Sequence, residues 1–164
     1  MPRLIKDSRI VDDAWQLVRD PADALPDGPV IVPLARWLAE RQRLLVRGDV
    51  GVCLNTDDEP EALAADVGNL PLIAVSFPAF HDGRGLSTGV LLRTRLGFKG
   101  DLRAVGDVQM DLLSYMRRCG FTSFVLRPDK DLEEALSGLR VMADYYQASV
   151  TDPVPPYRRQ RHGN

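Results

Sequence analysis

The chain has 164 residues, 45% of them hydrophobic and 27% charged, with a formal net charge of −2. That length suits one compact domain with a normal core and excludes wholesale disorder. The absence of a basic excess gives no reason to expect nucleic acid, and no apolar run is long enough to span a membrane. The N-terminus MPRLIKDSRIVDDAW interleaves acids and bases without an apolar signal core, so the expectation is a soluble cytoplasmic protein.

In chain order, residues 1–29 form a lead-in. RLI and RIV predict a short hairpin around Lys6, Asp7 and Ser8, with DDAWQLV extending it, and RDPADALPDGP is a turn-rich connection. From Val30 the pattern is regular. VIV is a short buried strand, and Pro33 opens a helix LARWLAERQRLL with Leu34, Trp37, Leu38 and Leu45 at helical spacing. VGVCLN follows as a strand, with Asn55, Thr56 and Asp57 as cap candidates before a short helix EPEALAADVG. PLIAVSF is a strand, Ser87 to Leu96 the core of a helix, and Gly97 its stop. DLRAV is a strand, and Gly106 and Asp107 turn the chain into a helix VQMDLLSYMRRCG built on Leu113 and Met116. TSFVLRP is a last strand, and Asp131 caps a last helix with Leu132, Ala135, Leu136, Leu139 and Met142 on one face.

These are about five consecutive βα units, an α/β fold with a mostly parallel sheet over 30–147. An open doubly wound sheet is the expected form, and a partial βα-barrel that curls or pairs with a second subunit is the alternative. Residues 148–164 are rich in Pro and Arg and read as a flexible tail. They are either a solvated terminus or, through Arg158–Arg161, a docking arm for a partner.

Ligands of parallel α/β folds bind beyond the C-terminal strand ends, where loops and helix N-termini gather. The residues expected there are Asn55, Thr56 and Asp57, then Ser76, His81, Asp82, Arg84, Ser87 and Thr88, then Asp107, Arg127 and Asp129. The stretch HDGRGLSTG is the richest. Gly83, Gly85 and Gly89, with Asp107 further on, resemble a dinucleotide fingerprint, but Pro78 to Asp82 separate the first glycine from its strand and the unit is the third. No Walker loop is present. A small-anion site fits better: Asp82, Gly83, Arg84, Gly85 and Ser87 as a cradle, with Arg127 nearby. The structural competitor has Asp82 or Ser87 capping the helix, the glycines supplying positive φ, and Arg84 paired with Asp82 or Asp107. His81 is a candidate proton shuttle, and Asp107 a general base or an N-cap. Cys53 and Cys119 lack a CxxC or a histidine cluster, so a metal site built from this chain alone is not expected. Both read as buried small hydrophobes. The cofactor is left unknown.

The segments F-x-DGRG-x-S, LR-x-R-x-GF-x-G, LRA-x-GDV and RCGF, between Phe77 and Phe121, resemble the bacterial family called domain of unknown function 934. The looser resemblance runs from about Val30 to Tyr146. Leu86 and Leu112 stand where an aromatic residue and a glutamine would be expected. The resemblance implies a role beside assimilatory sulfite or nitrite reductase, in sulfur assimilation, for a protein often described as a probable oxidoreductase. The function expected is an accessory protein of sulfite reduction that binds a small oxyanion or the reductase. The alternatives are an NAD(P)-dependent oxidoreductase and a non-catalytic interaction module, and a homo-oligomer stays open.

Overall fold

The computed structural model describes residues 2–78 and 83–141. Its strands are β1 (Arg3–Lys6), β2 (Arg9–Asp12), β3 (Gln16–Leu17), β4 (Val30–Pro33), β5 (Val50–Leu54), β6 (Leu72–Phe77), β7 (Asp101–Gly106) and β8 (Ser123–Phe124). The helices are α1 (Leu34–Ala39), α2 (Arg41–Arg47), α3 (Arg84–Thr94), α4 (Leu113–Arg118) and α5 (Leu132–Val141). All strands join one 8-stranded sheet in the order β2-β1-β8-β7-β6-β5-β4-β3. From β3 to β8 the pairing is parallel, and only the β1 pairings are antiparallel.

The predicted hairpin forms. Asp7 and Ser8 both take positive φ (50° and 63°), which matches the twist of a two-residue turn to the flanking strands, and Lys6 faces Arg9. DDAWQLV does not extend it. Gln16 and Leu17 instead pair parallel with Val30 and Ile31 at the opposite edge of the sheet. Only Asp13, Ala14 and Trp15 separate β2 from β3. Such a connection reaches about 14 Å fully extended, whereas eight strands laid flat would span roughly 33 Å. The sheet therefore curls into a half-barrel and is not the open doubly wound sheet. Five βα units account for the parallel strands from β4 on, and β1, β2 and β3 enlarge the same sheet.

Side-chain alternation along each strand divides the interior in two. Val30 and Val32, Val50, Val52 and Leu54, Ile73, Val75 and Phe77, and Leu102 and Ala104 face the helices and make the main core with Trp37, Leu44, Leu92, Leu113, Met116 and Leu136. The other parity, Ile31, Cys53, Leu72, Ala74 and Val105, lines the concave face, where Trp15, Leu17 and Val125 pack on it. The described helices all cover the convex side. None of them is long and apolar enough to cross a membrane.

Several elements differ in extent from the sequence pattern. The helix opened by Pro33 breaks at Glu40 (φ −121°), whose carboxylate accepts from Arg36 and Arg43 on either side. Buried Asp66 holds both halves by accepting from Trp37 Nε1 (2.9 Å) and Arg41 Nε (2.6 Å). A one-residue break leaves apolar spacing almost unchanged, so periodicity does not reveal it. EPEALAADVG yields only a 3₁₀ turn, Pro60–Leu63. The turn-rich 20–28 segment is clasped by arginines: Arg36 donates to the Asp23 carbonyl and Arg47 to those of Pro26 and Gly28. Asp131 caps α5 as expected, accepting from the Glu133 amide at 2.9 Å. Met142 lies outside the described residues.

Gly85 and Gly89 set the depth at which α3 sits. A Cβ on Gly85 would lie 2.5 Å from the Phe77 ring, and one on Gly89 2.4 Å from the Phe121 ring. The two rings are fully packed, with centroids 5.6 Å apart. In an open helix Gly→Ala stabilises by about 0.5–1 kcal/mol. Here overpacking at about 1–3 kcal/mol outweighs that gain. Gly89→Ala is therefore expected to lower the denaturant midpoint, and the double variant Gly89→Ala with Phe121→Leu to recover part of the loss. An unchanged or raised midpoint in the single variant would show that α3 is free to back away.

Candidate functional site at the mouth of the half-barrel

The C-terminal ends of β5, β6, β7 and β8 deliver Asn55, Ser76, Gly106 and Arg127 to one rim, as parallel strands must. The expected cradle is arranged differently from a phosphate-binding turn. Arg84 starts α3, Gly85 and Gly89 lie within it, and Gly83, Gly85 and Gly89 do not have positive φ. The i, i+4 glycine spacing is explained by the ring packing just described. Ser87 is exposed on the outer surface and, with Leu86, Val90 and Tyr115, lines a groove between α3 and α4. Thr88 Oγ1 donates back to the Arg84 carbonyl at 3.0 Å. His81 and Asp82 lie outside the described residues, as do Arg158–Arg161.

Arg84 and Asp107 belong to separate ion pairs. Arg84 Nη1 is 3.2 Å from Asp57 Oδ1, both groups being largely exposed. Asp107 does not cap the helix after β7. Its amide donates to the Phe77 carbonyl (2.6 Å), and its Oδ1 accepts from Gln109 Nε2 (2.7 Å) and Arg127 Nη1 (3.5 Å). Arg127 also donates to Asp129, whose carboxyl is held below its ordinary range mainly by that hydrogen bond. Gly106 is required at this turn: it has φ +92°, and a Cβ would fall 2.6 Å from the Phe77 carbonyl oxygen.

The concavity carries two adjoining lobes. A lobe of about 110 Å³ is bounded by Arg19, Pro33, Cys53, Asn55 and Ser76. A lobe of about 290 Å³ is bounded by Trp15, Leu17, Ile31, Val105, Val125, Arg127 and Pro128. Leu17, Arg19, Val105 and Gly106 touch both. Arg103, 3% exposed, closes the floor of the larger lobe. Its Nη1 donates to Asp13 (2.8 Å), its Nη2 to Asp101 (3.3 Å) and its Nε to Ser123 (3.1 Å), so its charge is already matched. Arg19 is different. Among the described residues it has no hydrogen-bond or ion-pair partner.

Cys53 is buried beside the smaller lobe, and its thiol pKa is pushed up to about 11, first by burial and then by Asp58, with Arg19 opposing. It is a neutral thiol at pH 7 and not a ready nucleophile. Among the described residues no group of His, Cys, Asp and Glu is placed to hold a metal ion. Sequence reasoning reached Asn55, Ser76 and Arg127 but not Arg19, Trp15 or Cys53 as site residues. Ser76 and Cys53 have a weak sequence signal, since they alternate with large apolar neighbours. Arg19 has none, because β3 is too short to show a pattern.

Fold and mouth together define a βα half-barrel with a ligand-sized cavity at its C-terminal face. Residues 51–157 match the family described as bacterial protein of unknown function (DUF934), and the chain belongs to that family. The match takes in Cys53, Asn55, Ser76 and Arg127 but stops short of Trp15 and Arg19. No curated protein matches the chain.

The raised Cys53 pKa sets two expectations. In a Cys119→Ser background, alkylation should be about 100-fold slower at pH 8 than for a free thiol. Its pH midpoint should lie near 11 and move higher in Arg19→Ala. Because the folded thiol holds its proton longer than the unfolded one, its contribution to stability is complete below pH 9.0 and is lost toward about 11. Relative to Cys53→Ala, that loss should be roughly 2–3 kcal/mol. A midpoint at the ordinary thiol value would mean that Cys53 is open to water.

Proposed function

We propose that this protein is an accessory protein of assimilatory sulfite reduction that holds a small oxyanion at the half-barrel mouth, with the sulfite or nitrite reductase as its partner. The observation that carries the anion reading is Arg19. It stands where the two lobes meet and lacks an acidic partner among the described residues, whereas Arg84 and Arg127 are drawn to Asp57, Asp107 and Asp129. A guanidinium presents several donors to an oxyanion, and the Asn55 amide and Ser76 hydroxyl add neutral donors on the same side. Cys53, being uncharged, does not repel an anion. The link to sulfur assimilation rests on the family resemblance. The NAD(P) reading has less support, since Gly85 and Gly89 lie against Phe77 and Phe121 and leave no room there for a pyrophosphate.

A thermal-shift series with sulfite, sulfate, nitrite and phosphate tests this. At an anion concentration about 100-fold above Kd, the melting temperature should rise by about 5 °C or more. Arg19→Ala should abolish the rise, and Arg84→Ala should leave most of it. Loss in Arg84→Ala alone would return the site to the glycine turn, and no shift with any anion would remove the reading.

A further inference from the structure

We propose that the oxyanion this mouth binds most tightly is the head of an organic anion, a sulfonate or carboxylate on a small apolar body, held more tightly than a bare inorganic ion. The proposal rests on the anion-binding reading above and deepens it. A sulfite or sulfate needs only the smaller lobe, where Arg19, Asn55 and Ser76 supply donors. The larger lobe would then be left to water. Its walls are mostly apolar, Trp15, Leu17, Ile31, Val105, Val125 and Pro128, and the charged groups beside them, Asp13, Arg103 and Arg127, are engaged in ion pairs. Buried water is retained where it finds two to four polar partners, and apolar walls are better covered by apolar atoms.

The charges near the larger lobe are already spent. Arg103 is matched by Asp13 and Asp101, and Arg127 by Asp107 and Asp129. A second anionic group is therefore not called for at that end. Arg19 lies at the junction, so a head held by its guanidinium directs the rest of the molecule either back to solvent or into the apolar lobe. The second course buries apolar surface on both partners. Trp15 contributes a broad aromatic wall for a flat body.

The experiment is titration calorimetry of the full chain with benzenesulfonate and, separately, with sulfate and sulfite. Benzenesulfonate should bind at least about tenfold more tightly than sulfate. Val125→Phe, which fills the apolar lobe without touching Arg19, should weaken benzenesulfonate about tenfold and leave sulfate within about twofold. Val125→Thr, nearly the same in shape, serves if the Phe variant melts early, and should weaken benzenesulfonate by about threefold. Sulfate binding as tightly as benzenesulfonate would overturn this inference and leave the oxyanion reading standing. Binding of neither would remove both. Equal loss of both ligands in Val125→Thr would also overturn the inference, because the apolar wall would then have no selective part.

Discussion

The short connection from β2 to β3 constrains everything else in the molecule. Asp13, Ala14 and Trp15 tie the two edges of an 8-stranded sheet together, and only a strongly curled sheet lets so few residues make the link. Arg103 fixes where the strap lies. Its guanidinium, buried in the middle of β7, takes Asp13 from the strap and Asp101 from its own strand. Desolvating an arginine costs several kcal/mol, and its two carboxylates offset most of that cost. The network's main effect is therefore on position: Asp13 has one buried charge to reach, and Trp15 follows it onto Ile31, Cys53, Ala74 and Val105. The curl creates the concavity, and the strap divides it.

The same geometry places the concavity away from the helix residues Arg84 to Gly89 of the segment that looked richest. Gly85 and Gly89 serve close packing of α3 on two phenylalanine rings, and the charged rim residues near them pair with one another. On the inner side, small and polar residues share strand parity with the apolar concave cluster. Cys53, Asn55 and Ser76 face inward because Val52, Leu54 and Val75 face the helices. The cavity is a by-product of a two-faced sheet with helices on one side.

The family match covers the strands that supply those inner residues, and the N-terminal stretch from Asp13 to Pro33 supplies the remaining wall from outside it. The cavity is thus assembled from two stretches that are far apart in sequence. Arg19, a cation of the mouth without a hydrogen-bond or ion-pair partner among the described residues, comes from the stretch outside the match. Part of the mouth's wall depends on the strap, and the scaffold depends on the matched βα units.

Local spacing determined much of this protein. Alternating short apolar strands and amphipathic stretches gave the order and parallel sense of β4 to β8, Asp7 and Ser8 marked the hairpin, and Asp131 marked the start of α5. Each of these rests on contacts within a few residues, which is where a sequence pattern carries information. Tertiary structure decided the rest. Gln16 and Leu17 went to the far edge because β4 offered an open parallel ladder there, and Asp13 met Arg103 across 90 positions of chain. The curl, the inner parity that lines the mouth, and the solitary position of Arg19 all follow from that long-range pairing. Periodicity does not encode them, because it measures only which face of its own element a residue occupies.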